Sequence, residues 1–179
     1  MKLNELRQGI VDVITAANPT IKTVETRPGK FDITDLKRIG AGKIPAALVS
    51  ILGLPKVTRT ATDENALDVR LAVFIITKDK GAQNKDAAAL DIVEDLLARI
   101  PDNRFGVQAV GVPESVKADN LYSGNLDKTG VAIWAITWSQ SVRIGVNEWE
   151  GGPEYSAVYI NGDSDTFGQA EHYERIPAE

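Results

Sequence analysis

The chain has 179 residues, of which 43% are hydrophobic, and it contains no cysteine and a single histidine. This length suffices for one domain with a substantial core, with room for an extension. The absence of cysteine excludes disulfides, thiolate metal sites and cysteine nucleophiles, and it is typical of a reducing compartment. Because no run of about 18 apolar residues occurs and the N-terminus lacks the apolar segment of a signal peptide, we expect a soluble protein made inside a cell, with no membrane partner.

The net charge of −5 is distributed unevenly along the chain. Residues 146–179 contain eight acidic residues and one basic residue, a net charge of −7, so the first 145 residues carry +2. We therefore divide the chain into a folded domain over residues 1–145 and an acidic C-terminal extension over residues 146–179.

The first part of the chain predicts a helix, a short strand and a long connection. The helix covers residues 3–17 and ends at Asn18, because a residue that precedes a proline avoids helical geometry. Its apolar stripe consists of Leu3, Leu6, Ile10, Val13, Ile14 and Ala17. Residues 21–26 predict a strand, and residues 27–43 predict an irregular connection that contains three glycines.

The middle of the chain predicts two strands and a second helix. Residues 45–54 form an apolar run, residues 55–65 are polar and indicate a loop or hairpin end, and residues 67–77 alternate before becoming wholly apolar. Asn84 is a suitable N-cap for a helix that runs to Ile100. The apolar stripe of this helix consists of Ala89, Ile92, Val93, Leu96, Leu97 and Ile100.

The last part of the domain predicts a short strand at residues 107–112, a polar connection at residues 114–129 and a long strand at residues 131–144. One face of the long strand is apolar: Trp134, Ile136, Trp138, Val142 and Ile144. The opposite face is apolar only at its start, through Val131, Ile133 and Ala135. This element order predicts an α+β fold: a mixed, mainly antiparallel sheet with two amphipathic helices packed on it, plus an extended acidic C-terminal arm.

Motifs that could carry chemistry are weak in this sequence. His172 lies in an acidic segment, where a packed catalytic triad is not expected, and one histidine per chain cannot build a multi-histidine metal centre. The glycine-rich residues 40–43 lack both the first glycine and the final serine or threonine of a phosphate loop. Residues 163–174 resemble a calcium loop in part, but Phe167 occupies a ligand position. We therefore expect no catalytic residues, no cofactor, no metal and no enzyme activity.

The element order resembles that of the tail-terminator and tail-completion proteins of Mu-like tailed phages. The elements that carry the resemblance are the helix at residues 3–17, the strand at 67–77, the helix at 87–100 and the strand at 131–144, so it covers about residues 1–145. The resemblance does not include residues 146–179.

The resemblance implies a structural virion protein without an active site. Such a subunit forms a ring, commonly a homohexamer, that caps the tail tube, stops its polymerisation and connects it to the head connector. The implied partners are other copies of the chain, the tail tube protein and the head–tail connector protein, with genomic DNA passing through the ring without sequence-specific binding. The implied location is the head-proximal end of the phage tail, after assembly in the host cytoplasm. A small non-catalytic ligand-binding or regulatory α+β module, or an enzyme of an unrecognised kind, remains the alternative.

Two segments are candidate protein-contact sites. The connection at residues 27–43 is rich in basic side chains, namely Arg27, Lys30, Lys37, Arg38 and Lys43. The alternating residues 154–160 include Tyr155 and Tyr159 and predict a strand, which we expect either to dock on a neighbouring subunit or connector protein or to fold back on its own domain.

Overall fold

The computed structural model describes residues 1–32, 36, 39–81, 83–121, 130–147, 157–160, 165 and 174–177. The chain divides into two compact units, Met1–Gly145 and Val146–Glu179. The elements of the first unit, in chain order, are α1 (Lys2–Ala17), β1 (Thr23–Pro28), a 3-10 turn (Ala41–Lys43), β2 (Ala46–Arg59), β3 (Asn65–Lys78), α2 (Lys85–Arg99), β4 (Glu114–Asn120) and β5 (Val131–Ile144). The second unit contains β6 (Ala157–Ile160) and β7 (Glu174–Pro177).

The first unit is built on one five-stranded sheet in the order β1-β2-β3-β5-β4. β1 pairs with β2 in parallel, and every other pairing in this sheet is antiparallel. The prediction of a mixed, mainly antiparallel sheet is therefore confirmed. The longest ladder joins β3 to β5 from Asn65 opposite Ile144 to Lys78 opposite Val131.

Both helices pack on one face of this sheet, as predicted. α1 buries Leu6, Ile10, Val11 and Ile14, and α2 buries Ala88, Ala89, Ile92, Val93 and Leu96. Apart from Ala88 and Ala89, these helix residues form the main core together with a continuous set of strand side chains: Ala47, Val49, Leu67, Val69, Leu71, Val73, Ile75, Ile136, Trp138 and Val142. α2 begins where the sequence predicts, since the Asn84 side chain accepts a hydrogen bond from the Asp86 backbone N–H at 2.7 Å.

The opposite face of the sheet has its own, smaller core. Its strand residues are Ala46, Leu48, Ala72, Phe74, Ile76, Ile133 and Ala135. Residues from the connection after β1 cover them, through Phe31, Leu36, Ile39 and Ile44, and the Phe31 and Phe74 rings lie 5.4 Å apart. The connection at residues 27–43 therefore has a packing role that its irregular sequence pattern does not reveal.

Three boundaries differ from the predictions. β2 continues to Arg59, so most of the segment at residues 55–65, predicted to be a loop or hairpin end, is strand, and residues 60–64 form the turn of the hairpin. Residues 107–112 do not form a regular strand: Val110 makes one isolated bridge to Val142, and Ala109 has a left-handed backbone angle. β4 lies instead at Glu114–Asn120, within the predicted polar connection.

In the second unit, β6 and β7 form a two-stranded antiparallel sheet, with Ala157 opposite Pro177 and Ile160 opposite Glu174. Residues 157–160, which lie in the segment predicted to be a strand, thus form a strand that pairs with the C-terminal segment of its own unit.

Candidate protein-contact surface

Arg27, the first of the predicted basic contact residues, makes several contacts within its own chain. Its guanidinium donates to the Lys30 carbonyl oxygen at 2.9 Å and to the Pro28 carbonyl oxygen at 3.3 Å, and it lies 5.7 Å from the centre of the Phe31 ring. These contacts close the turn after β1 and hold Phe31 against the smaller core on the opposite face of the sheet. Arg27 thus has a structural role that does not require a partner protein.

The other basic residues are arranged differently. Lys30 is exposed, and Lys43 is exposed with its ammonium group 3.7 Å from a carboxylate oxygen of Glu25. Exposed ion pairs of this kind contribute little to stability, so Lys43 can exchange partners at low free-energy cost. Lys37 and Arg38 lie outside the described residues. Lys30 and Lys43 are therefore the members of this set that the structure leaves accessible.

The side chains of the predicted contact residues in the acidic extension lie outside what the structure describes. Tyr155, His172 and most of the calcium-like segment at residues 163–174 lie outside the described residues. Tyr159 belongs to β6 and is opposite Arg175 of β7, but only its backbone is described.

A second exposed surface, which the sequence does not predict, lies along the far half of β2. β1 covers β2 only from Ala46 to Ile51. Beyond that point, residues 53–59 pair with β3 on one side, and no described strand pairs with them on the other. We call residues 53–59 the open half of β2. It carries two exposed apolar side chains, Leu54 (43% exposed) and Val57 (57% exposed).

The turn that ends this hairpin is held by several hydrogen bonds. The Thr60 backbone N–H donates to the Glu64 carbonyl oxygen at 2.8 Å, and the Thr62 hydroxyl donates to the Glu64 carboxylate at 3.0 Å. Arg59 forms an ion pair with Asp63, and the hydrogen bond and negative charge of Asp63 raise the pKa of the Arg59 guanidinium above its ordinary value. The hairpin is therefore a formed, fixed element.

β4 is a terminal strand of the sheet, and β5 is its one partner among the described strands. Val116 and Ala118 point to the helix-bearing face, where they pack at the rim of the main core. Lys117 and Asp119 lie on the opposite face, with the Lys117 ammonium 3.8 Å from the Asp119 carboxylate. Among the described strands, the sheet thus has unpaired edges at both sides: β1 and the open half of β2 at one side, and β4 at the other.

The surface also has shallow clefts. The cleft of about 580 Å³ between the end of α1 and the start of α2 is lined by residues that include Lys22, Lys80 and Asp91. Another cleft, of about 310 Å³, lies between Arg70 and Lys117 on the face of the sheet opposite the helices. Within the described ranges, no three histidine or acidic side chains are placed to hold a metal ion. No described helix is long and apolar enough to cross a membrane.

Comparison with known proteins gives one family. No curated protein matches the sequence significantly. The family described as "Bacteriophage Mu, Gp37" matches residues 2–142, which include all the helices and strands of the first unit apart from the last two residues of β5. The chain therefore belongs to the bacteriophage Mu Gp37 family, a family of Mu-like phage proteins.

Proposed function

We propose that this protein is the tail terminator of a Mu-like phage. Copies of the chain form a ring of six, which caps the tail tube, ends tube polymerisation and joins the tube to the head connector. The observation that carries the proposal is the family match over residues 2–142. The resemblance in element order to tail terminators supports the same role.

The two strand edges of the sheet support a ring. The open half of β2 and the outer edge of β4 lie at opposite sides of the same sheet, and they are different surfaces. An interface between two different patches joins subunits head to tail, and it produces a closed ring when the rotation between neighbours closes. A dimer with two-fold symmetry would instead pair one patch with itself.

The proposed role is structural and not enzymatic. The first unit has no cysteine or histidine, and its clefts bring together ordinary surface side chains, so the proposal needs no cofactor. The partners are other copies of the chain, the tail tube protein and the head–tail connector protein. Genomic DNA passes through the ring without sequence-specific contacts, and the ring sits at the head-proximal end of the tail. Lys30 and Lys43 are the proposed basic contacts to these partners.

The ring is tested by the mass of the purified full chain in solution. Sedimentation or light scattering should give a mass near six times 19.3 kDa, and negative-stain images should show annular particles. The measurement is made at micromolar concentration in low and in high salt, because salt weakens exposed charge contacts. A monomeric mass under both conditions overturns the ring.

The role in tail assembly is tested in the phage. Removing the gene should give tails of uncontrolled length or heads without joined tails, and the wild-type chain supplied from a plasmid should restore normal particles. Normal virions in the absence of the protein contradict the proposal.

A further inference from the structure

On the side away from β3, the open half of β2 has backbone groups that no described strand uses. In residues 53–59, irregularities in the pairing with β3 lie between Ile51 and Gly53 and between Gly53 and Lys56. Regular pairing then runs from Lys56 to Arg59. Pro55 has no backbone N–H to donate, so an added strand has residues 56–59 as its regular partner. Exposed edges of this kind readily accept another strand.

β4 has the correct direction to be that strand in a second copy. β2 is antiparallel to β3, β3 to β5, and β5 to β4, so β4 runs antiparallel to β2. If a second copy is placed beside the first in the same orientation, its β4 runs antiparallel along the first copy's β2. The inner half of β2 already pairs with β1, so on β2 itself the open half is the part that can accept this neighbour.

The two edges also match in chemistry on the helix-bearing face. Val57 is opposite Leu67, which belongs to the main core, so Val57 projects on the same face as the helices. Ala118 is opposite Ile136 and projects on the same face. Pairing Val57 with Ala118 of the next copy covers an exposed valine with apolar atoms, which is favourable in a cross-strand pair.

The same register matches charges on the other face. When Val57 is opposite Ala118, antiparallel pairing places Lys56 opposite Asp119 of the next copy. Lys56 is exposed, and Asp119 is 57% exposed with Lys117 3.8 Å away, so its carboxylate can accept a second cation. Opposite charges placed directly across a strand pair are favourable, and like charges are unfavourable.

We propose that residues 56–59 of one copy pair antiparallel with residues 116–119 of the next copy, with Val57 opposite Ala118 and Lys56 opposite Asp119. The inference rests on the proposed ring, because it identifies the contact between successive subunits. The pairing is head to tail, since it joins two different edges.

The pairing also fixes how neighbouring copies are staggered. Within one copy, Ala118 lies level with Val73 of β3, whereas Val57 lies level with Leu67. Each neighbour is thus displaced by six residues along the strands, which is about 20 Å at 3.4 Å per residue. In a closed ring of strands, such a stagger requires the strands to tilt relative to the ring axis, as they do in β-barrels.

The test is site-specific crosslinking, which this cysteine-free chain allows without background. The double variant Val57→Cys with Ala118→Cys is purified as the full chain and oxidised, because directly opposite residues in an antiparallel pair lie within disulfide distance. We expect a ladder of disulfide-linked species up to the whole ring on a non-reducing gel. Each single-cysteine variant should give no ladder.

A matched control combines Val57→Cys with Leu90→Cys, which places the second thiol on the exposed face of α2, where Leu90 is 49% exposed. We expect no ladder from this pair. A ring of the correct mass in which the Val57 and Ala118 pair does not crosslink overturns this interface but leaves the proposed function standing. A protein that stays monomeric overturns both proposals.

Charge exchange gives a second test that does not depend on thiols. Lys56→Glu alone and Asp119→Lys alone should each raise the concentration of half-assembly by roughly three- to tenfold, because each places like charges in opposition. The combined Lys56→Glu and Asp119→Lys variant should show a smaller loss than the two single variants add up to, because the ion pair between copies is restored. The rescue is partial, since within each chain Lys56 lies opposite Asp68 and Asp119 lies 3.8 Å from Lys117, and the exchange places like charges there. Additive losses in the double variant contradict the pairing.

Discussion

Trp138 and Gln140, two residues apart on β5, are joined through their side chains inside the main core. The Trp138 indole Nε1–H donates to Gln140 Oε1 at 3.1 Å, and Gln140 Nε2 donates to the carbonyl oxygens of Asn103 at 3.1 Å and Gly111 at 2.8 Å. Gln140 is only 1% exposed. The Gln140 side chain thus joins residues 100–113, the connection between α2 and β4, to the sheet, and it also accepts the hydrogen bond of the buried indole N–H.

Gln140→Leu should therefore destabilise the fold. Leucine has a similar size, but it leaves the indole N–H and two carbonyl groups without these partners, and an unsatisfied buried group costs about 1–3 kcal/mol. We expect the free energy of unfolding in urea to fall by about 2–4 kcal/mol. The exposed Gln8 on α1 provides the control, since Gln8→Leu should change it by less than about 0.5 kcal/mol. Equal effects of the two variants would contradict the role of Gln140.

The packing of α2 on the sheet is tested by two leucines of the same helix. Leu96 is 1% exposed and belongs to the main core, whereas Leu90 is 49% exposed. Leu96→Ala removes buried apolar atoms and leaves a cavity, so it should lower the free energy of unfolding by about 2–5 kcal/mol. Leu90→Ala should change it by less than about 1 kcal/mol. Urea denaturation of both variants makes the comparison, and similar losses would mean that α2 packs through a different face.

Gly9 in α1 is a position where alanine should be unfavourable in spite of its helix propensity. In an exposed helix, replacing glycine by alanine stabilises by about 0.5–1 kcal/mol. At Gly9, however, a Cβ atom would lie 2.3 Å from the carbonyl oxygen of Phe105. This contact forces α1 away from the connection after α2, and we expect Gly9→Ala to cost about 1–3 kcal/mol.

A glycine with free space around it provides the comparison. Gly53 lies in β2, and a Cβ atom there would meet nothing within 4 Å. Gly53→Ala should leave the melting temperature unchanged or slightly higher, while Gly9→Ala should lower it by several degrees in a domain of this size. An increase in melting temperature for Gly9→Ala would show that the close approach of α1 and Phe105 is not rigid.

The elements that the sequence predicts well are those with one regular apolar period. α1, α2 and β5 each bury a stripe that repeats at helical or strand spacing, and the structure confirms all three. β4 lacks such a period because it is an edge strand with exposed charged residues on one face. The apolar pattern typical of a strand is stronger at residues 107–112 than in β4. The reason is that Val107 and Val110 contact the core from an irregular connection.

The open strand edges could not be predicted from the sequence, because they depend on the order of strands in the sheet. Apart from Pro55 and Lys56, nothing local to residues 53–59 indicates that β1 stops beside Ile51. Pro55 and Lys56 are typical of an exposed edge, and they are the only signal of it in the sequence. The sequence predicts the basic residue Arg27 as a contact, but its carbonyl and ring partners lie within its own chain, and spacing alone cannot distinguish these two roles.

The acidic extension is tested by a chain that ends at Val146. The residues that form the two hydrophobic clusters of the first unit all precede Gly145, and so does the proposed contact between copies. We therefore expect the shortened chain to fold with a melting temperature within a few degrees of wild type and to retain the crosslink between Val57→Cys and Ala118→Cys. Calorimetry and the non-reducing gel measure these two results.

The same truncation decides whether the extension acts as an assembly arm. The extension carries a net charge of −7, so its contacts with basic groups on a partner should weaken as salt rises. If it binds a neighbouring subunit or the connector protein, the shortened chain should join heads to tails poorly, and the joining that remains should depend less on salt. If the shortened chain joins heads to tails as efficiently as wild type, with the same salt dependence, the extension has no role in assembly, and its β6–β7 pairing serves its own unit alone.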